Sequence, residues 1–178
     1  MTASGSGEAL HIRSARDSDR AAIRDLTLAA YEEYAAVLPE ALWTGYRRNI
    51  LATLDGDEPA DRIVAEHEGA IAGSVLLFPP SRGAYGDLAA GGDSPEVRLL
   101  AVSPAVRGQG VGAALMRECI RRARASGAAA LGLHTTDMMR TAMRMYERMG
   151  FVRAPALDFN PAPGMLIKGY RLDLRGPG

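Results

Sequence analysis

The sequence predicts a single mixed α/β domain, and three observations carry that reading. One is a strand, turn and helix in direct succession: an apolar run over 97–102, a glycine-rich turn from Gly108 to Gly112, and the amphipathic stretch AALMRECIRRARA. Another is RIVAEHEGAIAGSVLLF, two apolar runs joined at Glu68-Gly69 in the manner of a β-hairpin. The third is length, since 178 residues are one domain's worth and enough to bury a core.

Along the chain, residues 1–8 (MTASGSGE) are small and polar and read as a disordered tail, ahead of one domain over 9–174 and a loose tail at 175–178. LHIRSA is a first strand with Ile12 and Ala15 inward. Asp17 or Ser18 caps a helix whose apolar series is Ala22, Ile23, Leu26 and Leu28 to Ala30, running on to Tyr34. Pro39 opens a second helix, ALWTGYRRNILATL. The hairpin after the loop at Asp55 to Pro59 has Ile63, Ala65, Ile71, Val75 and Leu77 as inward candidates. Pro79 to Pro95 is rich in Gly, Pro and Ser and reads as a long surface loop. The central strand ends at Ser103-Pro104, because proline has no amide to give a ladder. The following helix buries Leu115, Met116, Cys119, Ile120 and Ala123 and turns Arg117, Arg121, Arg122 and Arg124 to solvent. AALGLHT is a fifth strand, Asp137 to Arg148 a fourth helix, and FVRAPALDF and MLIKGYRLDL two closing strands.

Composition narrows the function. A formal net charge of +0 gives no global field for nucleic acid or an anionic membrane. The sequence has neither an apolar run of spanning length nor a signal-peptide layout, and the cytoplasm is the expected compartment. Cys119 is the sole cysteine, so an internal disulfide and a thiolate metal cluster are both excluded. Its place in an apolar stripe makes it a buried thiol. No metal-ligand spacing occurs, and no metal is expected.

The glycine turn carries the chemistry. Gly108, Gln109, Gly110, Val111, Gly112 and Ala113 pass straight into a helix, whose first turn offers unpaired N–H groups and a positive dipole end to an anion. Arg107 adds a donor fork that matches phosphate. Glycines in such a connection also serve plain turning. A triphosphate loop needs Gly-Lys-Ser/Thr, and Ala113 follows Gly112. Gly108, Gly110 and Ala113 satisfy G-x-G-x-x-A on paper, but Ser103 to Arg107 separate them from the strand, and the ribose-binding acid would be Asp137.

What remains is R-x-x-G-x-G after L-A-V-S-P, with M-Y-E-R-M-G-F from Met145 to Phe151 downstream. Together these resemble the acetyl-CoA-binding and C-terminal signatures of the GNAT superfamily of N-acetyltransferases, over about Glu96 to Phe151. The resemblance implies the GNAT fold, a mostly antiparallel sheet whose fourth and fifth strands splay apart around the pantetheine arm. It implies that backbone groups of Leu100, Ala101 and Val102 pair with that arm like an added strand. It also implies that Tyr146 is the general acid, with Met139, Ala142 and Tyr146 along the cofactor wall. The family often has asparagine where Met139 stands, and Thr135, Thr136 or water are the substitutes at hand.

The base position common in the family falls on Arg98. Glu96 lies on the same side of the strand and is the candidate base, through water, or a plain strand-end carboxylate. His134 ends the fifth strand near the splay. Acceptor candidates are Tyr31, Glu32, Tyr34, His134 and Asp158, with Trp43 and Phe159; aromatics with carboxylates suit a cationic amine. The expected activity is acetyl-CoA-dependent transfer to a primary amine of a small molecule or a peptide. A CoA-binding module without transfer and a nucleotide-dependent oxidoreductase are the alternatives, and a homodimer is an open assembly.

Overall fold

The computed structural model describes residues 9–57, 60–80 and 92–176. The expected tail at 1–8 and most of the loop expected between Pro79 and Pro95 lie outside the described residues, as do 177–178. The elements are β1 (His11–Ser14), α1 (Arg20–Tyr31), α2 (Glu40–Asp55), β2 (Asp61–His67), β3 (Ala70–Phe78) and β4 (Glu96–Val102). After them come α3 (Val111–Ala125), β5 (Ala130–Thr135), α4 (Arg140–Arg148), β6 (Val152–Arg153), β7 (Phe159–Ala162) and β8 (Met165–Asp173).

The strands form one mixed sheet in the order β1-β2-β3-β4-β5-β8-β6, with β7 also on β8. Among the described residues every pairing is antiparallel except β4 with β5. Both faces of the sheet are covered. On one, Leu115, Met116 and Cys119 of α3 are buried with Ile63, Val75 and Leu131. On the other, Ile23 of α1 and Ile50 and Leu54 of α2 are buried with Val64, Leu76 and Phe78. This is why β3 is buried without a break from Ala72 to Phe78 instead of alternating. Of the expected inward residues Ile63, Ala65, Val75 and Leu77 are buried, Ile71 is only half-buried near the turn, and Val64, Ala72, Leu76 and Phe78 are buried besides.

Local chemistry moves several boundaries. The carboxylate that organises the start of α1 is Asp19, not Asp17 or Ser18: its Oδ2 accepts from the Arg16 amide at 2.7 Å and from Arg13 at 2.6 Å. A 3-10 turn, Asp17–Asp19, precedes α1, and a second one, Glu32–Ala36, replaces the helical extension expected beyond Tyr31. The fourth helix starts at Arg140 rather than Asp137, with Met139 as its N-cap. FVRAPALDF is not one strand. Pro155 opens a 3-10 turn, Pro155–Leu157, that separates β6 from β7. Arg122 is not simply solvated either, since it bonds Glu118 of its own helix, Asp61 of β2 and Ser14 of β1.

Two features of β4 open the sheet. Its register against β3 slips between Ser74 and Leu76, so an extra residue is lodged in β4, where Leu99 takes a left-handed φ of 50°. Against β5 it shares only Glu96↔Gly132 and Val97↔Leu133. Beyond those pairs β4 stays with β3 as far as Val102, while β5 stays with β8 as far as Thr135. The two central strands part, and the edge of β4 from Leu99 onward faces a gap.

Candidate active site

A cavity of about 500 Å³ lies at this gap. Arg98, Leu99 and Leu100 of β4 and Leu133, His134 and Thr135 of β5 line it, with Met139 and Tyr146 beyond. Helix α2 contributes Tyr46, Asn49 and Thr53, and the β7–β8 hairpin contributes Phe159, Met165 and Ile167.

The glycine turn stands beside the gap. Gly108 and Gly110 take φ of 78° and 82°, which L side chains rarely adopt, and a Cβ at either would meet nothing within 4 Å. The backbone there is open to close approach, and α3 begins at once with its free N–H groups. Those residues fit a pyrophosphate. A Cβ at Gly112 would stand 3.5 Å from Met145 Sδ and from Val102 Cγ2, in ordinary contact with both. Arg107 does not front the turn: Nη1 donates to Glu33 at 2.7 Å and Nη2 to the Ala30 carbonyl at 3.2 Å. A 3-10 turn, Pro104–Val106, separates β4 from the glycines, and Asp137 pairs with Lys168 at 2.6 Å, so the dinucleotide pattern gains no support.

Tyr146 lies on α4, buried against Phe151 and reaching the cavity wall. Burial above all, then the nearby Tyr34 and Cys119, raises its phenol above the ordinary tyrosine value, so it stays protonated at neutral pH. Met139 lines the same wall, whereas Ala142 packs into the core on the α3 side. Thr135 and Thr136, the expected substitutes for the asparagine that Met139 replaces, are buried, and their hydroxyls have no hydrogen-bond partner among the described residues. Both line the cavity, which suits them to a ligand amide.

Glu96 and His134, chosen separately from sequence, are bonded to each other: Glu96 Oε1 lies 2.8 Å from His134 Nδ1. His134 Nε2 lies 2.9 Å from the Leu157 carbonyl. A carbonyl only accepts, so Nε2 carries a proton, and a second proton lies between Nδ1 and the carboxylate. The other oxygen of Glu96 is 3.6 Å from Arg98 Nη2, and the Arg98 guanidinium lies 4.3 Å from the centre of the Phe78 ring.

The Leu157 carbonyl is itself held in place. Arg153 binds Asp158 with both nitrogens at 2.9 and 2.8 Å, and its Nη1 also reaches the Gly169 carbonyl at 2.6 Å. Asp158 accepts from the Gly169 amide at 2.8 Å, so this acid locks the hairpin and is not among the residues lining the cavity. Glu32 is exposed and lies with Trp43 and Arg47 in a separate surface hollow of about 230 Å³. Tyr31 lines the cavity and donates from its hydroxyl to the Leu100 carbonyl at 3.1 Å. Tyr34 packs edge-on against Tyr31 at 5.8 Å, and burial together with Glu33 pushes its phenol up to about 12.

Sequence reasoning missed the α2 wall. Its signal was present: Tyr46, Asn49 and Thr53 recur at i, i+3 and i+7, one helix face. Met165 and Ile167 are the corresponding pair on β8, at the period of a strand.

The model of the acetyltransferase (GNAT) family matches residues 20–151. The chain is 32% identical over 136 residues to the mycothiol acetyltransferase of Nocardia farcinica, covering 67% of this chain and 40% of that protein. It is 30% identical over 102 residues to the IAA acetyltransferase of Azospirillum brasilense, covering 57% of this chain and 61% of the relative. The chain therefore spans less than two thirds of the length of either curated relative. A GNAT family acetyltransferase from Brucella melitensis, solved in complex with acetyl-CoA, superposes with a TM-score of 0.61 at 25% identity, over 95% of this chain and 90% of that one. The family match runs from α1 through α4 and takes in both parting strands and the glycine turn. The chain belongs to the GNAT family of acetyltransferases.

Proposed function

We propose that the protein is an acetyl-CoA-dependent N-acetyltransferase that moves an acetyl group directly to a primary amine. The observation that carries the reading is the convergence of the open β4 edge and the buried Tyr146 on one cavity. The α3 N-terminus and the Gly108–Gly110 turn would take the pyrophosphate. Backbone groups from Leu100 to Val102 would meet the pantetheine arm as an added strand, with the Thr135 and Thr136 hydroxyls in place of the family asparagine.

Acetyl-CoA brings the thioester. The chain's residues supply the proton traffic and the geometry. In the transfer an N–C bond forms and the C–S bond breaks. Tyr146 gives its phenolic proton to the leaving sulphur and is reprotonated from solvent. The amine must lose a proton, and Glu96, whose second oxygen is not taken up by His134, is the carboxylate on that side able to take it, through water. The Leu157 carbonyl fixes the ring with Nδ1 on the carboxylate, so His134 holds Glu96 in place.

Calorimetry with acetyl-CoA, followed by thiol release over a panel of primary amines, tests the reading. Binding together with amine-dependent thiol release and a matching acetylated product is expected. Binding without release for any amine would make the chain a CoA-binding module, and absence of binding would remove the proposal.

A further inference from the structure

Acyl transfer sets three demands, and two of them have residues: Tyr146 for the leaving sulphur and Glu96 for the amine proton. The third is the acetyl oxygen, which gains negative charge as the N–C bond forms and needs a hydrogen-bond donor at that moment. Helix α2 brings a second phenol to the cavity that Tyr146 lines. It is Tyr46, one turn before the buried Ile50 and on the helix face that packs on the sheet. Its ring is held from two sides, edge-on to Tyr31 at 6.0 Å and to Trp43 at 6.2 Å. Tyr31 is in turn fixed on β4, through the bond from its hydroxyl to the Leu100 carbonyl at 3.1 Å. That chain of contacts ties Tyr46 to the part of β4 whose edge faces the gap.

We infer that Tyr46 is a second catalytic phenol, which donates a hydrogen bond to the carbonyl oxygen of the acetyl group while Tyr146 serves the sulphur. This rests on the acetyltransferase reading above. Oxygen and sulphur flank one carbon, so their two donors must converge on one place from different elements. Tyr46 comes from α2 and Tyr146 from α4, and both line the same cavity. They are also within electrostatic reach: burial first, then Tyr34 and Tyr146, raises the Tyr46 phenol above the ordinary tyrosine value. Tyr46 therefore keeps its O–H at neutral pH. No proton passes to the oxygen. The phenol stabilises the charge as the N–C bond forms, and the C=O bond is restored when the C–S bond breaks and Tyr146 protonates the sulphur. A donor already in place costs no reorganisation at that moment, and the contacts with Tyr31 and Trp43 hold the ring there.

The test reads the carbonyl itself and needs no turnover. Infrared difference spectra of acetyl-CoA, isotope-labelled at the acetyl carbonyl and bound to the full chain, give the stretch of the bound thioester. A hydrogen bond lowers that frequency, so the band should move up in Tyr46→Phe and stay in place in Tyr146→Phe. By calorimetry, acetyl-CoA affinity in Tyr46→Phe should fall no more than about 10-fold, the scale of one neutral hydrogen bond. With an amine that supports thiol release, kcat should fall roughly 10²-fold or more, because the bond strengthens as charge develops. The fluorescence of Trp43, the sole tryptophan, reports that α2 packs as in the wild type. An unmoved band in Tyr46→Phe, an equal shift in Tyr146→Phe, or a larger loss of acetyl-CoA affinity would overturn the inference and leave Tyr46 as packing. Failure of the wild-type protein to bind acetyl-CoA would instead remove the acetyltransferase reading, and this inference with it.

Discussion

Arg107 is tied to the end of α1 by Glu33 and the Ala30 carbonyl, so its expected role at the phosphates requires it to change partners. Both members of the pair are over 40% exposed, and a pair of that kind contributes at most about 1 kcal/mol, less than a charge-assisted phosphate contact at roughly 1.5–3 kcal/mol. The phosphate should win. Arg107→Ala should therefore weaken acetyl-CoA binding by about 2-fold to 100-fold, while Glu33→Gln should tighten it by up to about 5-fold. A fall in affinity for Glu33→Gln, by calorimetry, would mean that Glu33 holds Arg107 in its binding pose. Asp19 works on stability instead. Its bonds to Arg13 and to the Arg16 amide lower its carboxyl from 3.8 to about 2, the Arg13 bond being the larger cause. A carboxyl lowered in the folded state stabilises fully above its unfolded value and loses that contribution as pH falls through the folded one. Asp19→Ala should cost roughly 1.5–3 kcal/mol near neutrality. In urea unfolding the gap from wild type should narrow between about pH 4 and pH 2. A gap independent of pH would assign the loss to packing.

At the scale of elements, the β6–β7 connection decides where His134 points. A Cβ at Gly169 would stand 2.5 Å from Leu157 Cβ and 3.0 Å from the Ala154 carbonyl, so β8 and the 155–157 turn touch only because this residue is glycine. Gly169→Ala should push the turn away, at about 1–3 kcal/mol, and draw the Leu157 carbonyl off His134. Acetyl transfer should then slow while acetyl-CoA affinity holds, and an unchanged rate would show that the carbonyl does not position the ring. Much of this scale was legible in the sequence. Glycines before an amphipathic helix and an apolar run ended by Ser103-Pro104 have one physical reading each. The clamp was not legible, because Arg153, Asp158 and Gly169 meet through a turn and a strand pairing that no periodicity records. Nor was the bulge at Leu99, since a leucine with φ of 50° carries no turn signature.

At the scale of the molecule, a sheet buried on both faces fixes β3, β4, β5 and β8 firmly enough for two central strands to part after two residue pairs. The sequence placed Glu96, His134 and Tyr146 on separate elements, and only the parting of the strands shows why the first two meet. Acid residues were harder to place by type: Asp158 and Glu32 suit an amine by charge, yet tertiary pairing puts one in a clamp and the other outside. In the proposed reaction Tyr146 on α4 is the proton donor and the proton acceptor stands at the β4–β5 divide. Tyr146→Phe tests this most directly, because it keeps the ring and its contact with Phe151 and removes only the hydroxyl that carries the proton. Single-turnover acetyl transfer should slow by roughly 10²-fold or more, with acetyl-CoA affinity within a small factor of wild type. Transfer at the wild-type rate would contradict the account and leave the tyrosine as packing.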